Sequence, residues 1–342
     1  MGKLAIVGLG LIGGSIGLAL KRAEPADTEI VGFDRDVDVG ARALKFGAIQ
    51  KLAPTLEHAV DGASLVIVST PIIAMRKVFE AMAPRLAKGA VVTDTASTKS
   101  DVLRWARETL PASVHFVGGH PMAGKEKSGP QAAEETLFDG RPYCIVPDMD
   151  AHPGAVNAVV GLARALGAEP FFLDAAEHDS YAAAISHVPL VASIALFGLV
   201  RGSAAWPELA GMSGPGFRDI TRLASGEPEM AHDICLTNKD NILHWLERYI
   251  AELRKVSALI EGTDADALFR VLAETQIERD NFLENPPRRE DSGPDLDLPT
   301  PSESFLRLLV GGLLQDRTKE MTGALEERAR EREREERLHR RE

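Results

Sequence analysis

Only two cysteines occur in the 342 residues, Cys144 and Cys235. Their separation matches no metal-ligand or redox spacing, so neither a zinc site nor a redox pair is expected, and both read as buried thiols. Nothing resembles a secretory signal, because the first apolar segment lacks a cleavage pattern. No apolar run is expected to span a bilayer. Positive charge is in short supply too. A net charge of −12 argues against general nucleic-acid binding and obliges any anionic substrate to find a locally basic pocket. No cluster has metal-ligand spacing, so no metal is expected. A cytoplasmic enzyme without nucleic-acid or membrane partners fits these absences. The length gives room for two domains, and 44% hydrophobic residues suffice for ordinary cores.

What is present is concentrated at residues 4–34. Leu4 to Val7 is an apolar run the size of a buried strand. Gly8, Gly10 and Gly13 then spell G-x-G-x-x-G, with Leu11 and Ile12 inside the turn, and Ile12, Ile16, Leu18 and Leu20 give the next segment a helical apolar face. Gly8 permits the tight turn, Gly10 leaves room for a pyrophosphate, and Gly13 lets helix and strand pack closely, while the helix N-terminus faces the phosphates. A second apolar run, Ile30 to Phe33, ends at Asp34, 21 residues after Gly13. A carboxylate there accepts ribose hydroxyls and repels a 2′-phosphate, which favours NAD over NADP. Arg35 leaves a question open, since an arginine there could accept that phosphate, cover the adenine or face solvent.

Strand–helix alternation continues. Ser64 to Ser69, Ala90 to Thr93, His115 to Gly118, Pro142 to Val146 and Pro170 to Leu173 read as strands, with a helix over Ala155 to Leu166. The fold class is α/β: a Rossmann-type, doubly wound, mostly parallel sheet with helices on both faces, assigned to residues 1–174. From 175 to 286 helical periodicity takes over, as expected of an all-helical substrate and dimerisation domain. Ser180 to Val200 reads as a buried helix, and Lys239 to Glu261 and Ala265 to Leu283 as amphipathic ones. A helical unit that cannot bury its apolar surface alone often buries it in a homodimer. Residues 287–342 form a proline-rich arm and a charged helical or disordered tail, with one more apolar helix possible over 304–314.

Chemistry belongs after the strand ends. The backbone of Ser69, Thr70 and Pro71 could pass under the cofactor ribose. Ser97 is either a polar anchor near the nicotinamide or the N-cap of the helix near Lys99. His120, set in a loop between glycines and a proline, lies where a hydride acceptor's partner would be, and imidazole can take a hydroxyl proton near neutral pH. Lys125, Glu126 and Lys127 follow as a charge cluster that could simply be solvated. His178 and His187 lie nine residues apart, so their helical faces coincide only approximately. His187 is either a satisfied core histidine or a site residue. Arg218 and Arg222 share a helical face and could fork onto carboxylates or pair with Asp219.

Taken in order, DTASTK at 94–99, GGHPMAGKEKSG at 118–129, HD at 178–179, SHVP at 186–189, GFRDITR at 216–222 and NKDNI at 238–242 resemble the prephenate dehydrogenase family, which includes arogenate and cyclohexadienyl dehydrogenases. The resemblance spans roughly residues 3–285. It implies an NAD(P)-dependent oxidative decarboxylation in tyrosine biosynthesis, prephenate giving 4-hydroxyphenylpyruvate or arogenate giving tyrosine, with NAD the cofactor that Asp34 favours. It further implies that His120 receives the ring-hydroxyl proton, that Ser97 positions His120 and the nicotinamide, and that Arg222 binds a substrate carboxylate. Glu126, His187 and Asp219 would form a polar network at the mouth of the site. Leu190 stands where many members carry a second histidine for the substrate side chain, which opens the choice of substrate. A β-hydroxyacid-type dehydrogenase would share the fingerprint but not need the histidine and arginine motifs. A non-catalytic NAD-sensing regulator would not need a proton acceptor at 120.

Overall fold

A computed structural model describes residues 2–23, 28–125, 127 and 129–287. Glu126 and the expected arm and tail after 287 lie outside the described residues. The described residues contain eight strands: β1 (Gly2–Val7), β2 (Thr28–Phe33), β3 (Lys51–Leu52), β4 (Leu65–Val68), β5 (Val91–Asp94), β6 (His115–Pro121), β7 (Pro142–Pro147) and β8 (Glu169–Phe172). They form one sheet in the order β3-β2-β1-β4-β5-β6-β7-β8. Every neighbouring pair is parallel except β6 with β7. The central strands β1, β4 and β5 are covered on both faces, so their apolar residues at 4–7, 65–68 and 91–92 run on without alternating with polar ones. The edge strand β3 has only two residues, Lys51 and Leu52, too short to leave a periodic signal in the sequence.

Between the strands lie α1 (Leu11–Arg22), α2 (Val37–Lys45), α3 (Leu56–Val60), α4 (Met75–Met82), α5 (Ser100–Thr109) and α6 (Pro153–Ala165). The α1 and α6 side chains Ile16, Leu20, Val159 and Leu162 pack with Leu4, Ile6 and Ile67 on one face of the sheet. Val60, Phe79, Val102 and Trp105 of α3, α4 and α5 cover Ala5, Val66 and Val92 on the other. This is the doubly wound arrangement that the alternation predicts.

The chain leaves the sheet at Asp174. Its carboxylate accepts the Glu177 N–H at 2.8 Å, while the Glu177 carboxylate accepts the Asp174 N–H at 3.3 Å. This capping box starts α7 (Ala175–Ala182), which passes through a π-helical turn at Ala183–His187 into α8 (Val188–Arg201). Then follow α9 (Trp206–Gly211), α10 (Pro215–Ile220), α11 (Pro228–Thr237), α12 (Lys239–Glu261) and α13 (Ala265–Glu284), the last two over nearly the spans that amphipathic periodicity indicates.

Two expectations need correction here. The run Ser180 to Val200 is not a buried helix in the single chain: Ile185 is 70% and Leu199 75% exposed. Moreover, Ala175–Arg201 is long and apolar enough to cross a bilayer by length and composition, with a mean hydropathy of 2.0, whereas no such run is expected from the sequence. Its polar residues point to a packing role instead. Asp179 bonds the N-terminus of α5, and His187 bonds Asn238, so one face of the run is built into the protein core. Among the thiols, Cys144 is buried and Cys235 only partly so.

Candidate active site

The phosphate-binding turn has the geometry that each glycine implies. Gly8 sits at φ +91°, and a Cβ there would lie 2.3 Å from the Ser69 carbonyl oxygen. A Cβ on Gly13 would lie 1.9 Å from the Gly8 carbonyl oxygen, whereas one on Gly10 would meet nothing within 4 Å. The backbone therefore crosses β4 closely, locks α1 against β1, and leaves open space in front of the α1 N-terminus. The Asp34 carboxylate accepts the Leu9 N–H at 2.8 Å and the Asp36 N–H at 2.9 Å. It is thus held at the carboxyl end of β2, beside the turn. Arg35 is exposed, with a guanidinium nitrogen 3.8 Å from the Glu229 carboxylate.

Beyond the carboxyl ends of β1, β4, β5 and β6 lies a cleft of about 300 Å³. Its walls bring together Gly10, Leu11 and Ile12, then Ser69, Thr70 and Pro71, then Ser97, and finally His120. Residues from the start of α11, Glu227, Glu229 and Met230, close the far side, and Lys125 and Lys127 lie at the rim. A crevice at this place in an open α/β sheet is where such folds take ligands. The open space at Gly10, the helix N-terminus and the held Asp34 fit a dinucleotide.

His120 is not in a loop, as the sequence suggests. Strand β6 continues through Pro121 because β7 pairs with it antiparallel, with His120 opposite Cys144. The strand outlasts its parallel partner β5 and carries the imidazole rigidly into the cleft. His120 is 8% exposed, and its Nδ1 lies 2.9 Å from His178 Nε2. His178 Nδ1 in turn lies 2.9 Å from Asp179 Oδ1. Ser97 is half-buried in the cleft wall but is not a helix cap. The α5 N-terminus is instead capped by Asp179, which accepts the Lys99 and Ser100 N–H groups at 2.7 and 2.9 Å. An acid 80 positions away in the chain does what a local serine was expected to do, which no spacing rule reveals.

Of the remaining candidates, His187, Asp219 and Arg222 do not line this cleft. His187 lies behind the cleft wall rather than at its mouth: it is 1% exposed, with Nδ1 3.0 Å from Asn238 Nδ2 and the Ser97 backbone beside the ring. Arg222 and Arg218 line another cavity, of about 460 Å³, walled by Phe197, Trp206 and Phe217. Asp219 is exposed on α10. In the single chain this turn packs on α8, where Ser193 Oγ donates to the Ile220 carbonyl at 2.7 Å. Leu190 is buried among apolar side chains. Among the described residues the cations that reach the cleft are Lys125 and Lys127, and Lys125 pairs with Glu134. Among the described residues no group of histidines, cysteines and acids could hold a metal ion.

A dinucleotide turn, a rigid histidine at the nicotinamide end and rim cations together define a dinucleotide-dependent oxidoreductase of Rossmann type. The family model for the nucleotide-binding domain of prephenate dehydrogenase matches residues 16–171, and that for its dimerization domain matches residues 174–274. The prephenate dehydrogenase of Bacillus subtilis strain 168 is 37% identical over 281 residues, covering 82% of this chain and 76% of that protein. The cyclohexadienyl dehydrogenase of Zymomonas mobilis is 34% identical over 278 residues, covering 81% and 94%. Among solved structures, the Aquifex aeolicus prephenate dehydrogenase in complex with hydroxyphenyl propionate and NAD+ superimposes with a TM-score of 0.76 at 28% identity, covering 82% of this chain and 98% of that one. The chain belongs to the prephenate dehydrogenase family.

The buried histidines make stability depend on pH. Burial, foremost, pushes His120 well below the ordinary imidazole value, and His178, Lys99 and His187 push the same way. Burial lowers His178 against the opposing pull of Asp179, and lowers His187 to about 4. In the unfolded chain each ring protonates near pH 6.5. Below that pH the unfolded state binds more protons than the folded one, so this stability is complete above about pH 6.5 and is lost as pH falls. The urea midpoint should therefore drop between about pH 7 and pH 5, before most carboxylates titrate. A midpoint that stays flat over this window would mean the histidines are not held neutral.

Proposed function

We propose that this protein catalyses the NAD-dependent oxidative decarboxylation of prephenate to 4-hydroxyphenylpyruvate, a step of tyrosine biosynthesis. The observation that carries the reading is His120, rigid on β6 at the end of a cleft that begins at the dinucleotide turn. Family membership supplies the substrate class. Bound NAD+ supplies the hydride acceptor. Gly8, Gly10, Leu11, Ile12 and Gly13 would hold its pyrophosphate, Asp34 its ribose hydroxyls, and Ser69, Thr70 and Pro71 the wall beneath the nicotinamide ribose. Ser97 would anchor the nicotinamide end.

His120 takes the proton of the substrate's ring hydroxyl while hydride leaves the carbon that bears it. The C–C bond to the ring carboxylate breaks, CO2 departs, and aromatisation drives the step. A neutral imidazole is needed for this, and burial keeps His120 neutral. Lys125 and Lys127 are the cations placed to meet substrate carboxylates in this cleft. Arg222 is the carboxylate ligand that the family motif indicates, although in the single chain it faces the neighbouring cavity. The same fold and site would serve arogenate, and the similarity to a cyclohexadienyl dehydrogenase supports that as the second reading.

The helical region supports a homodimer. Ile185, Leu199, Val256, Ile260, Phe269 and Leu272 are exposed large apolar side chains on α8, α12, α13 and the π-helical turn, and the matching family model is that of a dimerization domain. A second copy is the occupant that would cover them.

Absorbance of NADH should appear when prephenate and NAD+ are supplied, with a smaller response to arogenate or to NADP+. His120→Asn should lower kcat about 10²- to 10⁴-fold, the range for a general base, with little change in prephenate affinity. Full turnover in that variant would end the mechanism. Arg222→Gln should raise the substrate KM by about tenfold or more if it forms a buried carboxylate pair. An unchanged KM, with a rise in Lys127→Gln instead, would give the role to the rim lysines. Light scattering during gel filtration should return the mass of two chains, and a concentration-independent single-chain mass would reject the dimer.

A further inference from the structure

One edge of His120 faces the cleft, and the other is used by two residues to which the reaction assigns no part. His120 Nδ1, His178 Nε2, His178 Nδ1 and Asp179 Oδ1 form a chain with two contacts of 2.9 Å. Its far end is fixed, because the Asp179 carboxylate also accepts the Lys99 and Ser100 N–H groups. His178 and Asp179 are each 1% exposed, so water does not compete for these contacts.

The direction of the protons follows from that end. Burial pushes the Asp179 carboxyl up, but hydrogen bonds from His178 and Ser100 hold it below the usual carboxylate value, so it is ionised and can only accept. His178 must then carry its proton on Nδ1 and present a bare Nε2. His120 must carry its own proton on Nδ1 to meet that acceptor, which leaves His120 Nε2 without a proton. We propose that His178 and Asp179 are positioning residues for catalysis, locking His120 in the Nδ1–H tautomer so that Nε2 is the atom that receives the substrate proton.

In the reaction the substrate O–H bond breaks and its proton goes to His120 Nε2. The resulting imidazolium keeps its Nδ1 proton, donates it to His178, and leans on the negative charge of Asp179. No proton moves along the chain, and Asp179 stays ionised. The groups that face His120 are His178 from α7, Lys99 from the β5 end with its partner Asp94, and His187 from the π-helical turn. Burial, Lys99 and the other rings all oppose a positive His120, so the carboxylate behind His178 is the element that favours the charge as it develops.

The inference rests on the reading of His120 as the proton acceptor, and its test separates the two. Nitrogen NMR of histidine-labelled protein, which needs no turnover, should show His120 with Nδ1 protonated and Nε2 bare at neutral pH. A protonated Nε2 would overturn the proposal even if His120→Asn is inactive. His178→Phe removes the acceptor and should lower kcat about tenfold or more, within the range of the base's whole contribution, with KM values changed by less than about threefold. Its acid limb in kcat/KM should shift, since the ring that meets His120 Nδ1 and links it to the Asp179 carboxylate is gone. His178→Gln restores an acceptor oxygen and should recover part of kcat; it also serves if the phenylalanine variant fails to fold. An unchanged kcat and acid limb in both variants would leave His178 a packing residue.

Discussion

The site hangs on one buried ion pair, Lys99 with Asp94, both side chains fully shielded from solvent. Asp94 ends β5, and its carboxylate also accepts the Gly119 N–H at 3.1 Å and the Ala96 N–H at 2.8 Å. The Lys99 ammonium donates to the Gly119 carbonyl at 2.7 Å. The pair thus clamps both backbone polar groups of the residue before His120, and turns the chain after β5 so that Ser97 meets the cleft. Isolated charges at this depth would each cost several kcal/mol, and only a close pair with its remaining hydrogen bonds filled offsets that. Gly119 is part of the same device, since a Cβ there would sit 2.6 Å from the Asp94 carbonyl oxygen.

From this clamp the coupling between sheet and helices follows. Lys99 also begins the turn into α5, whose first N–H groups are capped by Asp179 of α7. Asn238, at the start of α12, donates to the Asp179 carbonyl at 2.7 Å and meets His187. Asp233 on α11 accepts the Ile73 N–H at 3.0 Å, just before α4. A sheet strand, two of its flanking helices and three helices of the second region are tied together by polar contacts, beside an apolar cluster that joins Val92, Val102 and Trp105 to Val188, Leu190 and Ile234. The catalytic end of the cleft is therefore the polar seam between the two regions.

Much of this fold was legible in the chain. Apolar runs of strand length, helical periodicity between them and a glycine-rich turn are local signals, and they placed seven of the eight strands and the two long helices α12 and α13. Local signals failed where partners are distant. β3 is too short to have a period. The extension of β6 through His120 depends on β7, and the cap of α5 on α7. Hydrophobicity alone made Ser180 to Val200 look buried, although a single chain has too little surface to cover it. The motif order drew His120 and Arg222 together, yet the packing of α10 on α8 holds Arg222 in another cavity.

By itself the sequence determined the doubly wound class, the dinucleotide turn and the histidine that ends β6, because each is a demand made on neighbouring residues: a φ that only glycine readily adopts, a strand's length, an imidazole beside a strand end. Only the tertiary structure decided what that histidine is. Its partner His178 lies 58 residues further along, on a helix brought over the sheet by a buried acid. Whether an imidazole donates or accepts depends on what its other nitrogen meets, and that is settled by contacts in space.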